Sequence, residues 1–300
     1  MNIKNFQNKF KKFNGRVYFD YSIKKLNWFN IGGNTSIFFK PETLQDLIGF
    51  LKICKDKENF FVLGAGSNVL FKDDLFDGII IKLSKNFSRI SLLNENTIVA
   101  GSGALDKSLS EFALENSISG FEFLSCIPGT IGGGIRMNSG CFGSEFKDIL
   151  ISVQVLNLLG EVLTIPAKDI NFNYRSCNLP KDLIFLSATF EGDKKKKEAI
   201  KETINIFKTK KEKAQPTKIK TGGSTFKNPI KQTDKKVWEI IKESVPNDIQ
   251  FGDAIISDKH ANFFINKGNA SYKDMKKLID FVKKNVKNKT GINLDLEIIL

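Results

Sequence analysis

Two glycine-dense stretches constrain this chain more than any other feature. Gly64-Ala65-Gly66-Ser67-Asn68 follows directly on the apolar run Phe60-Phe61-Val62-Leu63. About 60 residues later, Ser125-Cys126-Ile127-Pro128-Gly129-Thr130-Ile131-Gly132-Gly133-Gly134 leads into Met137-Asn138-Ser139-Gly140. Glycine tolerates positive φ and close approach of another group, at an entropic cost that a plain core element would not need to carry. Successive N–H groups in such a turn form a nest for a diphosphate, to which Ser67 and Asn68 add side-chain donors. The first turn alone is equally an ordinary tight turn, and it lacks the GxGxxG spacing and acidic ribose partner of a Rossmann site. The second stretch reads as backbone laid against a flat cofactor, and the pair then points to one extended nucleotide.

Around these turns the first two-thirds of the chain predicts short strands: Ile79–Ile81, Thr97–Ala100 running into Gly101-Ser102-Gly103, a hairpin of 151–158 with 161–165 turning near Gly160, and 183–190. Leu109, Phe112 and Ala113 share a face of a helix predicted over 105–115. Further on, helices are expected over 194–213, 235–243 and from Ser271, where Asp274 occupies the acidic position of a capping box. Strand-like pieces fall at 254–256 and 261–265. The final segment alternates, with Ile292, Leu294, Leu296 and Ile298 on one face and Asp295 and Glu297 on the other. A domain boundary is expected in the helix that ends near Gln215-Pro216.

Three hundred residues at 41% hydrophobic content suffice for about two domains. No apolar stretch approaches the roughly 20 residues of a membrane helix. At the N-terminus, Ile3, Phe6, Phe10 and Phe13 recur at helical spacing, while Lys9, Lys11 and Lys12 break any secretory apolar run. A cytoplasmic protein is expected. Four cysteines (Cys54, Cys126, Cys141, Cys177) without CxxC spacing, beside the single His260, argue against a zinc site or a disulfide framework. The net charge of +13 raises nucleic-acid binding as a reading. Its lysines are spread along the chain, however, and the run Lys194–Lys197 opens a helix whose apolar positions are Ile200, Ile204 and Phe207, so it reads as a solvated face.

Several motifs then agree in order. They are Asn27-Trp28-Phe29-Asn30-Ile31-Gly32-Gly33, Gly64–Asn68, Gly120-Phe121-Glu122-Phe123-Leu124 with Ile127-Pro128-Gly129-Thr130, Met137-Asn138, Tyr174-Arg175-Ser176, Gly223-Ser224-Thr225-Phe226-Lys227-Asn228-Pro229, Ser257–Phe263 and Leu294-Asp295-Leu296-Glu297. Together they resemble the vanillyl-alcohol-oxidase (PCMH) type of FAD domain, and more narrowly the UDP-N-acetylenolpyruvoylglucosamine reductase family, in the branch lacking an extra tyrosine loop. The resemblance implies an α+β protein: an N-terminal helical extension over 1–26, a PCMH-type FAD-binding region over 27–205, and a smaller α+β substrate-binding domain over 206–300 whose last strand returns Glu297 to the active site. Cys126 stands where the family has glycine, 243–248 lacks the usual alanine-glycine pair, and the chain stops at Leu300, soon after Glu297.

The resemblance also implies the chemistry. Noncovalent FAD, reduced by NADPH, delivers hydride to the terminal methylene of an enolpyruvyl sugar nucleotide, in peptidoglycan precursor synthesis. Charge develops on the neighbouring carbon and carboxylate, where Arg175 would grip through a bidentate guanidinium. Ser224 would give the proton, and Glu297 would hydrogen-bond the developing enediolate. Cofactor contacts are implied for Gly64, Ala65, Gly66, Ser67, Asn68, Ser125, Ile127, Pro128, Gly129, Thr130, Gly132, Gly133 and Asn138. Substrate contacts are implied for Tyr174, Lys227, Asn228 and His260, with Lys213 or Lys218 as further diphosphate partners. His260 lies in the substrate-domain motif, so a histidyl-flavin bond is not expected. No metal, nucleic acid or membrane partner is expected, and a monomer is. Two other readings stand beside this one: another PCMH-type FAD oxidoreductase acting on an alcohol or aldehyde, and a basic nucleic-acid-binding protein.

Overall fold

Val17, Phe19 and Tyr21 alternate with more exposed neighbours, and in the computed structural model they lie on a strand, not in a helical extension. That model describes residues 13–54, 59–216, 219–246 and 248–300. The helical spacing expected of Ile3, Phe6 and Phe10, and the positions of Lys218 and Asn247, lie outside the described residues. Strand β1 (Arg16–Ser22) joins β2 (Asn34–Lys40), β3 (Phe60–Val62) and β4 (Phe76–Ile81) in a four-stranded sheet of order β1-β2-β4-β3. Helix α1 (Leu44–Ile53) covers it, opened by a capping box in which Thr43 accepts from Asp46 N while Asp46 accepts from Thr43 N. Phe50 of α1 stacks on Phe39 of β2, ring centroids 3.9 Å apart.

A second sheet holds β5 (Ile90–Leu92), β6 (Thr97–Gly101), β7 (Leu150–Leu156), β8 (Val162–Pro166) and β9 (Ile184–Glu191), in the order β8-β7-β9-β6-β5. The β7–β8 hairpin turns at Gly160, whose φ of 87° suits glycine. Helix α2 (Asp106–Glu115) buries Leu109 and Ala113 against this sheet, beside Phe121, Phe146 and Phe190. Helix α3 (Ile131–Met137) lies in the second glycine stretch, where no helix is expected from sequence.

Helix α4 (Lys197–Ala214) starts later than predicted. Asp193–Lys194 pair as a short strand with Ile118–Ser119, and the Lys194 ammonium donates to the Asn116 carbonyl. Lys197 pairs with Glu115, and α4 buries Ile200 and Ile204. The lysine run is thus divided between a strand end and a solvated helix.

Strands β10 (Thr221–Ser224), β11 (Gln250–Phe251), β12 (Ala254–Ile256) and β13 (Phe263–Asn266) form a third sheet of order β10-β13-β12-β11. Helices α5 (Val237–Ser244) and α6 (Tyr272–Thr290) pack with it. The predicted capping box is present: Ser271 Oγ accepts from Asp274 N and Asp274 Oδ2 accepts from Ser271 N. Met275, Leu278, Ile279, Val282 and Val286 form the buried stripe.

The chain divides into two units, and the division is not linear. One comprises the described residues up to Tyr21 with Thr35–Ala65 and Asp77–Thr209; the other comprises Ser22–Asn34, Gly66–Phe76 and Lys210–Leu300. The second unit draws in the short segments because its core includes Phe29, Ile31 and Leu70. Asn27, 2% exposed, donates to the Ile31 carbonyl at 2.8 Å, and Asn266 donates to the Phe29 carbonyl at 2.8 Å.

Candidate active site

In the first unit the two glycine stretches meet. A Cβ on Gly64 would stand 2.4 Å from Thr130 Oγ1, so the absent side chain is what allows the contact. Lys82, at the end of β4, donates from Nζ to the Gly64 carbonyl at 2.7 Å. Burial, and secondarily the charge of Lys40, holds its pKa below the usual lysine value. The peptide after Gly64 is thereby fixed by a cation, while the N–H of Ala65 donates to no other described group.

Residues 129–132 are bonded to 102–106. Asp106 N donates to Gly129 O, Ile131 N to Ala104 O and Gly132 N to Ser102 O. The glycines here have several physical reasons. A Cβ on Gly134 would lie 2.3 Å from the Phe146 ring, and one on Gly132 would lie 3.2 Å from Ser102 Cβ. Both permit helix packing, which corrects the reading of the whole run as backbone laid on a cofactor. Gly133 is exposed, and its added Cβ would stand 3.6 Å from Thr130 Oγ1, an ordinary contact. Pro128 is exposed, Ser125, Ile127 and Gly129 are half-buried, and Cys126 is buried with its thiol 3.6 Å from Ser125 Oγ. A Cβ on Gly129 would meet Asp106 Oδ2 at 2.4 Å. Asp106 is fully buried, neither oxygen has a hydrogen-bond partner among the described residues, and burial pushes its pKa well above the usual carboxylate value.

Asn138 closes α3 in the left-handed conformation, φ 42°. Its buried amide donates to Glu145 Oε2 at 2.9 Å and to Asn173 O at 3.2 Å, and its Oδ1 accepts from Lys147 N at 3.1 Å. Both of its N–H donors are thereby used, which leaves Oδ1 as the atom that could take a further bond.

Tyr174 and Arg175 form the turn between the paired residues Phe172–Asn173 and Ser176–Cys177. Arg175 has φ 56°, a left-handed conformation that costs a non-glycine residue about 1 kcal/mol or more and persists where the surrounding structure enforces it. Its Nη2 donates to Gly140 O at 2.8 Å, its Nη1 lies 3.6 Å from Glu145 Oε1, and its guanidinium sits 4.8 Å from the Tyr174 ring centroid.

In the second unit, Gly66 takes φ 70° and lies against residues 26–27: a Cβ would stand 2.1 Å from Leu26 O. The N–H groups of Gly66, Ser67 and Asn68 donate to no other described group. Ser224 follows two constrained glycines. Gly222 packs under Phe29, whose ring would be 2.4 Å from an added Cβ, and Gly223 has φ 78° with open space around it. The register with β13 shifts between Thr221 and Ser224, so Ser224 leaves a distorted strand end, half-buried.

The terminal segment reaches the same place. Two isolated bridges, Phe226 with Leu296 and Val69 with Ile299, replace the continuous strand expected there. Glu297 N donates to Thr225 O at 2.9 Å, Asn68 Nδ2 donates to Glu297 O at 3.0 Å, and Ile299 N donates to Asn68 O at 3.0 Å. Ser224, Glu297 and Asn68 are therefore held together by backbone.

Asn262 clamps this region, a part that its place in the motif Ser257–Phe263 does not reveal. It is 1% exposed, accepts from Phe226 N at 3.0 Å and donates to Phe226 O at 2.9 Å. Lys227 N donates to Asp295 O, and Asn228 Oδ1 accepts from Val237 N at 3.0 Å, bracing α5. His260 Nδ1 accepts from Asn262 N at 3.3 Å, and burial lowers its pKa, so the imidazole is neutral with its proton on Nε2.

In the first unit, the N–H of Ala65, which donates to no other described group, and the Lys82 ammonium at the Gly64 carbonyl suit an anionic group such as a diphosphate. Among the described residues no group of His, Cys, Asp and Glu could hold a metal ion, and no helix is long and apolar enough to cross a membrane.

Known proteins resemble the chain over most of its length. Residues 35–166 match the family described as FAD binding domain, and residues 215–300 match UDP-N-acetylenolpyruvoylglucosamine reductase, C-terminal domain. The chain is 62% identical over 283 residues to the UDP-N-acetylenolpyruvoylglucosamine reductase of Pelagibacter ubique (strain HTCC1062), covering 94% of each protein. It is 44% identical over 279 residues to that of Rickettsia canadensis (strain McKiel), covering 93% of each. The crystal structure of UDP-N-acetylenolpyruvylglucosamine reductase from Thermus caldophilus superposes with a TM-score of 0.80 at 28% identity, over 95% of this chain and 98% of that one.

Proposed function

Because the chain belongs to the UDP-N-acetylenolpyruvoylglucosamine reductase family, with a PCMH-type FAD-binding domain followed by that family's C-terminal domain, we propose that it reduces UDP-N-acetylglucosamine enolpyruvate to UDP-N-acetylmuramate with NADPH, in the cytoplasmic synthesis of peptidoglycan precursors. The observation that carries this reading is the backbone strap that sets Glu297 beside Thr225 and Asn68, next to Ser224.

Bound FAD would supply the two-electron chemistry, accepting hydride from NADPH and giving it to the enolpyruvyl methylene. The turn at 64–68, with Lys82 at its first carbonyl, would hold the diphosphate of that group, and Gly129 and Thr130 would lie along it. Arg175 would bind the substrate carboxylate and stabilise the negative charge that develops on it. Ser224 would then protonate the adjacent carbon from its hydroxyl. A serine is a weak acid, so this transfer depends on the charge already built on the substrate. Glu297, in its acid form, would donate a hydrogen bond to the same enediolate. Lys227, Asn228 and His260 would bind the nucleotide portion, His260 donating from Nε2, and Tyr174 would flank Arg175.

The visible spectrum, followed anaerobically, tests this. NADPH should bleach the flavin, and only the enolpyruvyl sugar nucleotide should restore its colour. Colour restored by dioxygen but not by that nucleotide would indicate a flavoenzyme acting on another substrate.

A further inference from the structure

Arg175 is a long cation on a strained two-residue turn, and a side chain of this kind loses about 2 kcal/mol of rotamer entropy when fixed. Gly140 O takes one hydrogen bond at 2.8 Å, and Glu145 Oε1 faces Nη1 at 3.6 Å, longer than a hydrogen bond, so this pair acts through charge. Both partners are largely shielded, with side chains 16% and 21% exposed, so the attraction is stronger than between surface ions.

Glu145 is itself held. Its Oε2 accepts from the buried Asn138 amide at 2.9 Å and faces the Lys147 ammonium at 3.2 Å, and its N–H donates to Asp148 Oδ2 at 2.8 Å. The same Asn138 amide also binds Asn173 O, on the residue before the Arg175 turn. One buried amide therefore fixes both the carboxylate that faces the guanidinium and the backbone from which the guanidinium extends.

We propose that Glu145 is the positioning residue for Arg175, holding the guanidinium in register for a substrate carboxylate through the network Asn138–Glu145–Arg175. This rests on the role of Arg175 proposed above. The carboxylates of Glu145 and substrate carry the same charge and face the same cation. Glu145 therefore weakens ground-state binding of the substrate while it improves the geometry of the reaction. Neutralising it should separate the two effects.

The test uses E145Q, which keeps an oxygen acceptor for Asn138, with E145D as a second variant that keeps the charge at shorter reach. Affinity for the enolpyruvyl sugar nucleotide is measured by calorimetry on the oxidised protein. The reduction of flavin by NADPH and its re-oxidation by substrate are followed separately by stopped flow. In E145Q, the substrate Kd should fall or stay within about twofold, and NADPH should reduce the flavin at the wild-type rate. Re-oxidation should slow by about 10- to 100-fold, the scale of a misplaced catalytic group. E145D should recover part of that rate, and R175M should re-oxidise no faster than R175M/E145Q. A slow R175M beside an E145Q that re-oxidises normally would overturn the role of Glu145 alone. So would a double variant slowed by the full product of the two single effects. An R175M that re-oxidises normally would overturn the role of Arg175, and this inference with it.

Discussion

Gly134→Ala is a sharp test of the packing that supports the second glycine stretch. Gly134 lies within α3, so its φ permits alanine, and an exposed helix would gain about 1 kcal/mol from the change. The structure predicts the opposite sign. The added methyl would stand 2.3 Å from Phe146 Cε2 and 2.4 Å from Cζ, where ordinary contact begins at 3.4 Å. The ring would have to retreat by about 1 Å, and it has little room. Phe146 is 0% exposed and packs edge-on against Phe123 and Phe190, with ring centroids 6.3 and 6.1 Å away. Overpacking costs about 1–3 kcal/mol, and a clash with two atoms of a ring wedged on both sides belongs near about 3. The net loss is then about 2 kcal/mol, which lowers Tm by about 4–8 °C for a unit of this size. Thermal melts and urea midpoints of wild type, G134A and G134A/F146L measure it, the double variant recovering part of the loss. A G134A protein as stable as wild type, or more so, would refute the reasoning.

Asp106→Asn should stabilise the protein at neutral pH. The buried carboxyl has a raised pKa, so the unfolded chain releases its proton first and wild-type stability declines as pH rises above 3.8 toward the folded value. The advantage of the variant in urea midpoint should therefore grow over that window, and a pH-independent difference would contradict it. His260 has the opposite linkage. Its folded pKa is lowered by burial, the unfolded chain takes up a proton first, and stability is lost as pH falls below 6.5; H260Q should flatten that slope. Ser224→Ala should slow flavin re-oxidation by the sugar nucleotide by about 10²–10⁴-fold while leaving NADPH reduction unchanged, as stopped-flow traces will show.

Much of this was legible in the sequence where the signals are local. Ser271 and Asp274 announce a helix start, Gly160 announces a hairpin, and the alternation at 292–298 places Leu294 and Ile298 inside, 2% and 3% exposed. The alternation of Val17, Phe19 and Tyr21 is equally local, but it stands beside the helical spacing of Ile3, Phe6 and Phe10, which extends the expectation of helix over it. Helix α3 was not legible, because three consecutive glycines argue against a helix; what overrides propensity is the approach of Phe146 and Ser102, long-range contacts that no window contains. The non-linear division of the chain has the same cause, since Phe29 against Gly222 and Asn68 against Glu297 join residues about 190 and 230 apart in sequence. For the candidate site, the motifs supplied the identities of Arg175, Ser224 and Glu297. The bonds around them, Asn138 and Glu145 beside Arg175, Asn262 on Phe226 and Lys82 on the Gly64 carbonyl, run through backbone carbonyls and second partners that sequence spacing does not display.

The central claim is that this chain reduces the enolpyruvyl group of a sugar nucleotide, and the mass of that nucleotide tests it most directly. The FAD-loaded protein is incubated with NADPH and UDP-N-acetylglucosamine enolpyruvate, and the nucleotide is weighed by mass spectrometry. The account predicts a product heavier by two hydrogens, formed in step with NADPH consumed. An unchanged nucleotide, with NADPH oxidised only at the expense of dioxygen, would contradict it.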